Sequence, residues 1–327
     1  VRAICVLGLG LIGGSVLRAA RAAGLPAWGA ADVADAEAAS SAGYTATADL
    51  GEALRRAREE DALVVLAVPL FAVDDVLRQV AEHAPRCLLT DVVSVKEPVA
   101  NSVRRIVPAA NYVGGHPMSG TAESGWSASS AELFHGAAWV ATVDETSDLA
   151  VWREVAALAL ACGAEVVPVA GAEHDAAVAR ISHLPHLLAA VLASVGAAGG
   201  PLALSLAAGS FADGTRVAGS DPELVRAMCE GNGTALLSVV DDALGKLGAA
   251  RGALASTGSL GATIGEGHRG RRAFDAARQA RSAQLRIDLG APGAHAALAA
   301  LGSQGGRITA VDGTTAFGQV PAADPAP

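Results

Sequence analysis

The stretch AICVLGLGLIGGS, residues 3–15, constrains this chain more than any other. A short apolar run rises straight into Gly8, Gly10 and Gly13, and apolar residues then recur at helical spacing as far as Gly24. Strand, tight turn and helix is the reading. In such a G-x-G-x-x-G turn the first glycine permits the bend and the second lets a pyrophosphate approach the backbone. The third lets helix and strand pack closely, while the helix N-terminus offers N–H donors and positive potential to a phosphate. Asp32 follows Gly13 by 19 residues, where a carboxylate can bond the adenine-side ribose and favour NAD over NADP. Two other readings stand beside this one. The glycines can serve a tight turn alone, and Asp32 can be a helix N-cap, or one residue out of register with Ala31 at the diagnostic position.

Downstream, AWGAAD, ALVVLAVP and CLLTDVVS read as further strands, with helical stretches at 71–82 and 97–106. Strands and helices alternating at this spacing predict a parallel sheet covered on both faces. Leu11 and Ile12 in the first helical turn, with Val68 and Pro69 at a strand end, then line the cofactor crevice beside the three glycines. AAWVATV and AEVVPV add two strands around a helix near 148–161. The expected fold class is α/β, with a Rossmann-type dinucleotide-binding domain over residues 1–170. Beyond it, HDAAVARISHLPHLLAAVLASV, PELVRAMCEGN and ALLSVVDDALGKLGAA all read as helices, giving a mainly α-helical unit over 171–290. Its long apolar faces suit packing against a second copy, so a homodimer is expected. GEGHRGRR, 265–272, reads as a solvated inter-helix loop, and residues 291–327, rich in Gly, Pro and Ala, as an irregular C-terminal extension.

Composition narrows the partners. A net charge of −9 with no sustained Lys/Arg run argues against nucleic acid, while a local basic pocket for a small anionic molecule remains compatible with it. Hydrophobic residues reach 51%, much of it alanine. No stretch attains the roughly 18 consecutive apolar residues of a spanning helix, so no membrane is expected. The N-terminus enters an apolar run without a basic region or cleavage site, which reads as cytoplasmic. Cys5, Cys87, Cys162 and Cys229 form no metal-binding or disulfide-framework spacing, so no metal is expected.

Several polar clusters interrupt the apolar pattern. DVVSVKEP ends a strand with Ser94 and Lys96, and GGHPMSGT carries His116 at the end of another. Residues at the carboxyl ends of parallel strands face the ligand crevice, so if both runs are strands of one sheet, Ser94 and His116 meet beside a nicotinamide. A histidine there can accept a proton near neutral pH, although a structural histidine fits the spacing as well. His183 and His186 are three apart and share a helix face, with Pro185 marking a kink or a helix start. Arg216 either forms a surface salt bridge with Asp213 or presents its planar fork to a substrate carboxylate.

In order, GLGLIGGS (8–15), DVVSVK (91–96), GGHPMSGT (114–121), EHD (173–175), ISHLPH (181–186) and GSFADGTRVAGSDP (209–222) span about residues 4–232. The set resembles the prephenate dehydrogenases and the related arogenate dehydrogenases of tyrosine biosynthesis. The resemblance implies NAD-dependent oxidative decarboxylation of prephenate to 4-hydroxyphenylpyruvate, with arogenate to tyrosine as the alternative and NADP left open. It makes His116 the catalytic histidine and Ser94 its hydrogen-bonding partner. His186 and Arg216 become substrate-binding residues, with Thr121, His183 and Gly209 near the same pocket. Two positions depart from the family pattern. Ala122 stands where a glutamate is common, and Val225 where some members carry tryptophan. Two other classes remain: another two-domain hydroxy-acid or imine dehydrogenase, for which the helical half offers only Lys246 as an acid or base, and a non-catalytic dinucleotide-binding module.

Overall fold

A computed structural model describes residues 2–121 and 123–322. The chain opens with strands and helices in strict alternation. They are β1 (Ile4–Leu7), α1 (Leu11–Ala22), β2 (Ala27–Ala30), α2 (Val33–Ser41), β3 (Ala46–Thr47) and α3 (Leu50–Glu59). There follow β4 (Leu63–Leu66), α4 (Val73–His83), β5 (Leu88–Asp91), α5 (Glu97–Ile106) and β6 (Asn111–Tyr112). The six strands form one parallel sheet in the order β3-β2-β1-β4-β5-β6. This is the doubly wound arrangement, whose order reverses between β1 and β4, the place where such sheets bind ligands.

Both sheet faces are covered, which explains why β1 and β4 are apolar at every position rather than at alternate ones. Cys5, Leu7, Val64 and Leu66 pack with Leu54 of α3 and Leu77 of α4 on one face. Ile4, Val6, Leu63 and Val65 share a core with Val16 and Leu17 of α1 on the other. Cys5, Cys87 and Cys162 are buried thiols within this packing, and burial pushes the thiols of Cys87 and Cys162 up to about 12.

Next come β7 (Gly115–Pro117), β8 (Ala138–Thr142), α6 (Leu149–Ala161) and β9 (Glu165–Val169). These three strands belong to a second, mixed sheet ordered β10-β12-β11-β9-β8-β7. Its other members come from the far end of the chain: β10 (Ser282–Asp288), β11 (Arg307–Asp312) and β12 (Thr315–Pro321), with α14 (Ala294–Ser303) between β10 and β11. Residues 291–322 are therefore not an irregular extension. They form a helix and a hairpin that close back on β9, through Ile308 opposite Val166 and an Arg307–Glu165 ion pair of 2.7 Å. The physical reason is burial: Leu298, Leu301, Ile308 and Ala316 complete the core that α6 begins. Residues 323–327 lie outside the described part.

The helical unit comprises α7 (Gly171–Val178), α8 (Leu184–Ala198), α9 (Gly200–Ser205), α10 (Gly209–Thr215), α11 (Pro222–Gly231), α12 (Gly233–Ser256) and α13 (Gly261–Gln279). Between α7 and α8 the helix continues through a π turn, Ala179–His183. That wider turn precedes Pro185 and accommodates its missing N–H, so the proline ends no helix. GEGHRGRR is likewise not a loop: it lies inside α13, which a Lys246–Glu266 ion pair ties to α12. The run Gly171–Ala198 is long and apolar enough to cross a membrane by length and mean composition, although it holds no 18 consecutive apolar residues. Its first turns, however, carry His174, Asp175 and His183 into a buried polar cluster, which ties them to the protein interior.

Candidate active site

The glycine turn has the shape its spacing predicts. Gly8 has φ +100° and touches the Ala67 backbone so closely that a Cβ there would fall 2.4 Å from its carbonyl oxygen. A Cβ on Gly13 would fall 1.9 Å from the Gly8 carbonyl oxygen, so strand and helix meet through both glycines. Gly10 differs, because a Cβ there would meet no protein atom within 4 Å. It caps α1, whose first turn, with Leu11 and Ile12, has no side-chain cap. An open backbone at an uncapped helix N-terminus fits a pyrophosphate. Val68 lies against Gly8, and the exposed Pro69 follows it. Asp32 realises the capping role: its Oδ1 accepts from Asp35 N at 3.0 Å at the start of α2, and the residue is exposed beside the crevice.

The polar centre forms where β5, β7 and α7 meet. Asp91 and Lys96 make an ion pair buried to 0% and 1% exposure. Asp91 also accepts from Tyr112 Oη at 2.6 Å and from Val93 N at 2.8 Å, while Lys96 Nζ donates to the Gly115 carbonyl just before His116. Burial pulls the Lys96 pKa down against the attraction of Asp91, and it pushes the Tyr112 phenol well above its ordinary value. These contacts fix the strand that presents His116.

His116 is partly accessible, and its Nδ1 lies 2.8 Å from His174 Nε2. His174 Nδ1 in turn lies 2.8 Å from Asp175 Oδ1. Asp175 accepts from Lys96 N at 2.8 Å and Glu97 N at 2.9 Å, so it caps α5 from another element. Burial opposes ionisation of Asp175, yet the hydrogen bonds from His174 and from these two N–H groups outweigh it and hold the carboxyl below its usual range. For His116 burial comes first, reinforced by His174, Lys96 and His183, and the pKa falls well below 6.5. The ring is therefore neutral at physiological pH, as a base must be.

His183 is fully buried, with Asn232 Nδ2 at 3.1 Å from its Nδ1 and, among the described residues, no partner for its Nε2. Burial lowers its pKa to about 4, against the attraction of Asp175. His186 Nδ1 is also buried without a partner, and the ring neighbours Arg216 and the Val217 backbone. Burial lowers the His186 pKa, the Val217 bond opposing and Arg216 adding to the effect. Buried nitrogens without a protein partner call for a water, an ion or a ligand atom beside them.

Not every residue singled out from the sequence meets this cluster. Among the described residues Ser94, half-buried three positions beyond β5, makes no hydrogen bond. The expected Ser94–His116 bond is replaced by the His174 contact, because the start of α7 brings EHD against the Nδ1 side of the ring. Thr121 is exposed and accepts from Glu123 N at 3.2 Å, and Gly209 is exposed at the start of α10. No hydrogen bond among the described residues joins either to the histidines. Ala122 lies outside the described residues, and Val225 sits half-buried on α11. The residues missed were His174, Asp175 and Asn232. A histidine directly before an aspartate at a helix start was the available signal.

Residues 30–168 match the family model of the prephenate dehydrogenase nucleotide-binding domain, and residues 170–258 that of the prephenate dehydrogenase dimerization domain. The chain belongs to the prephenate dehydrogenase family. Within the family it is 32% identical to a cyclohexadienyl dehydrogenase of Zymomonas mobilis, over 77% of this chain and 88% of that one. It is 30% identical to a prephenate dehydrogenase of Bacillus subtilis over 73% of this chain, but spans only 66% of that relative's length. Among solved structures, a candidate prephenate dehydrogenase of Corynebacterium glutamicum superposes with a TM-score of 0.89 at 46% identity, covering 94% of this chain and 98% of that one. A Synechocystis arogenate dehydrogenase gives 0.69 at 30% identity, covering 85% and 99%. Family membership makes the chain an oxidoreductase.

Proposed function

We propose that this chain catalyses the NAD-dependent oxidative decarboxylation of prephenate to 4-hydroxyphenylpyruvate, in the cytoplasm and as a homodimer. The observation that carries the reading is a partly accessible His116 whose Nδ1 lies 2.8 Å from the buried His174, beside the end of β5. The Gly8–Gly13 turn would hold the cofactor pyrophosphate and Asp32 the adenine-side ribose, with Val68 and Pro69 lining the dinucleotide crevice. A bound NAD would supply the acceptor for the hydride that leaves the ring carbon bearing the hydroxyl. His116 takes the hydroxyl proton, and Ser94 lines the same approach. As the carbonyl forms, the electron pair of the ring–carboxylate bond moves into the ring, carbon dioxide leaves and the ring becomes aromatic.

Arg216 and His186 receive the side-chain carboxylate, with His183, Thr121 and Gly209 around the same pocket. Clamping the departing carboxylate instead would stabilise the ground state against its loss. Arogenate carries an ammonium where prephenate carries a ketone. The buried carboxylates of the cluster, Asp91 and Asp175, are both engaged, Asp91 by Lys96 and Tyr112 and Asp175 by His174 and α5. Neither is free to pair with an ammonium, which favours prephenate. The homodimer reading is supported by the exposed leucines Leu188, Leu192, Leu202, Leu244 and Leu254, an apolar surface that a second copy would cover.

The test compares kcat/KM for prephenate and arogenate with each of NAD and NADP, following NADH or NADPH absorbance. Prephenate with NAD is expected to give the highest value. Equal or greater turnover of arogenate overturns the substrate assignment, and no turnover of either substrate overturns the proposed function.

A further inference from the structure

The hydrogen bonds around His116 fix where its proton sits. Asp175 accepts from two backbone N–H groups, Lys96 N and Glu97 N, which can only donate. Its third bond, 2.8 Å to His174 Nδ1, therefore draws its proton from the histidine. With His174 neutral, its single N–H is the one given to Asp175, so its Nε2 is a lone pair. That lone pair lies 2.8 Å from His116 Nδ1 and can only accept from it. The proton of His116 is then on Nδ1, and Nε2 is left bare and without a protein partner among the described residues.

We propose that His174 and Asp175 are positioning residues that hold His116 in its Nδ1–H tautomer, with the basic Nε2 toward the substrate hydroxyl, and that share the charge when the proton arrives. The proposal rests on the reading of His116 as the base. In the step itself the hydroxyl O–H bond breaks and an Nε2–H bond forms on His116. The Nδ1 proton then moves toward His174 Nε2, while the His174 Nδ1 proton stays in its bond to Asp175; no electrons are gained or lost in this transfer.

The surrounding charges suit the role. The charged and titratable groups acting on His116 are His174 of α7, His183 of the π turn and Lys96 at the start of α5; Asp175 stands behind His174, and Asp91 with Tyr112 behind Lys96. Lys96 balances Asp91, which leaves Asp175 as the carboxylate that offsets a cationic histidine pair. Its position, one ring away, stabilises the charge without bonding the base directly.

Nitrogen-15 histidine spectra of the full, substrate-free chain test this directly, because each tautomer has its own pattern of ring-nitrogen shifts. His116 is expected as Nδ1–H, and finding it as Nε2–H or as a cation at neutral pH overturns the proposal. His174→Leu removes the acceptor. It is expected to release His116 from the Nδ1–H form and to lower kcat by about 10²–10⁴-fold, with the Kd for NAD unchanged. His174→Gln restores an oxygen acceptor and should return both the tautomer and at least about tenfold of the lost rate. A purely structural role would leave the His116 tautomer unmoved in the leucine variant, and that result sinks the proposal. The wild-type spectra decide the matter even where a variant fails to fold. They need no substrate, so a wild-type protein with the expected tautomer but no prephenate turnover would refute the proposed function alone.

Discussion

A histidine acts as a base only while one ring nitrogen lacks a proton, and the neighbours of His116 work toward that state. Burial and the adjoining His174, Lys96 and His183 hold its pKa well below 6.5, so the acid limb of the kcat/KM profile should fall below that of an ordinary histidine. His116→Asn is expected to lower kcat by about 10²–10⁴-fold while the Kd for NAD is retained. Arg216→Ala should act mainly on the KM for prephenate. Near-normal turnover in the first variant would remove His116 from the base role. The same depressed values set an acid sensitivity. His116, His183 and His186 are neutral when folded and regain ordinary basicity when unfolded, so the stability they give is complete above pH 6.5 and declines as pH falls. For His183 the loss runs from 6.5 to about 4. Each proton taken up adds a slope of roughly 1.4 kcal/mol per pH unit, to be read from urea unfolding across that range. That His116, His183 and His186 lie in polar motifs was legible from the sequence. The His174–Asp175 pair was not, because nothing in EHD shows that it folds against a strand 58 residues earlier.

At the level of elements, the opening strand–turn–helix assigns different work to its glycines. Gly10→Ala meets open space and should leave the melting temperature unchanged, while weakening NAD binding by about tenfold or more, measured by calorimetric titration. Gly13→Ala drives a methyl into the Gly8 carbonyl and should cost roughly 1–3 kcal/mol of stability. Tolerance of both substitutions by the cofactor would remove the turn from the binding site. The β5–α5 connection makes a third demand. Lys96→Met strands Asp91 without its ion-pair partner in a fully buried position, and should cost about 3–5 kcal/mol in thermal or urea unfolding. The alternation of β1 through α5 was readable because buried parallel strands are uniformly apolar. The last three strands were not, since half-exposed β10, β11 and β12 carry Gly, Ala, Thr and Gln among their apolar residues. One local sign was present: Asp312–Gly313, with Gly313 at φ +56°, is a hairpin turn signal between two alternating runs. In α13 the glycines of GEGHRGRR imitate a loop, but the helix continues through them.

Across the whole molecule, two units built on different logic meet at the His116–His174 contact: a first sheet that buries both faces, and helices that leave leucines outside. Sedimentation is expected to show a dimer, and Leu244→Asp with Leu254→Asp should shift it toward monomer; an unchanged profile would place the contact elsewhere. A chain ending at residue 280 loses Ile287, Leu289, Leu298, Leu301 and Ile308 from the core, each worth about 1.5–3 kcal/mol when buried. It should aggregate or lose its cooperative melting transition. The division into a sheet unit and a helical unit was visible in the change of periodicity near residue 170, whereas the return of the tail to β9 is a pairing that no local pattern encodes. That return also sets an order of events at the ribosome. Glu165 is made 142 residues before the Arg307 it pairs with, so β9 emerges with one edge open and must wait for nearly all of the remaining chain. The strand in waiting leads directly into the helix that carries His174 and Asp175, so the newborn protein is exposed to misassembly next to its buried histidine cluster.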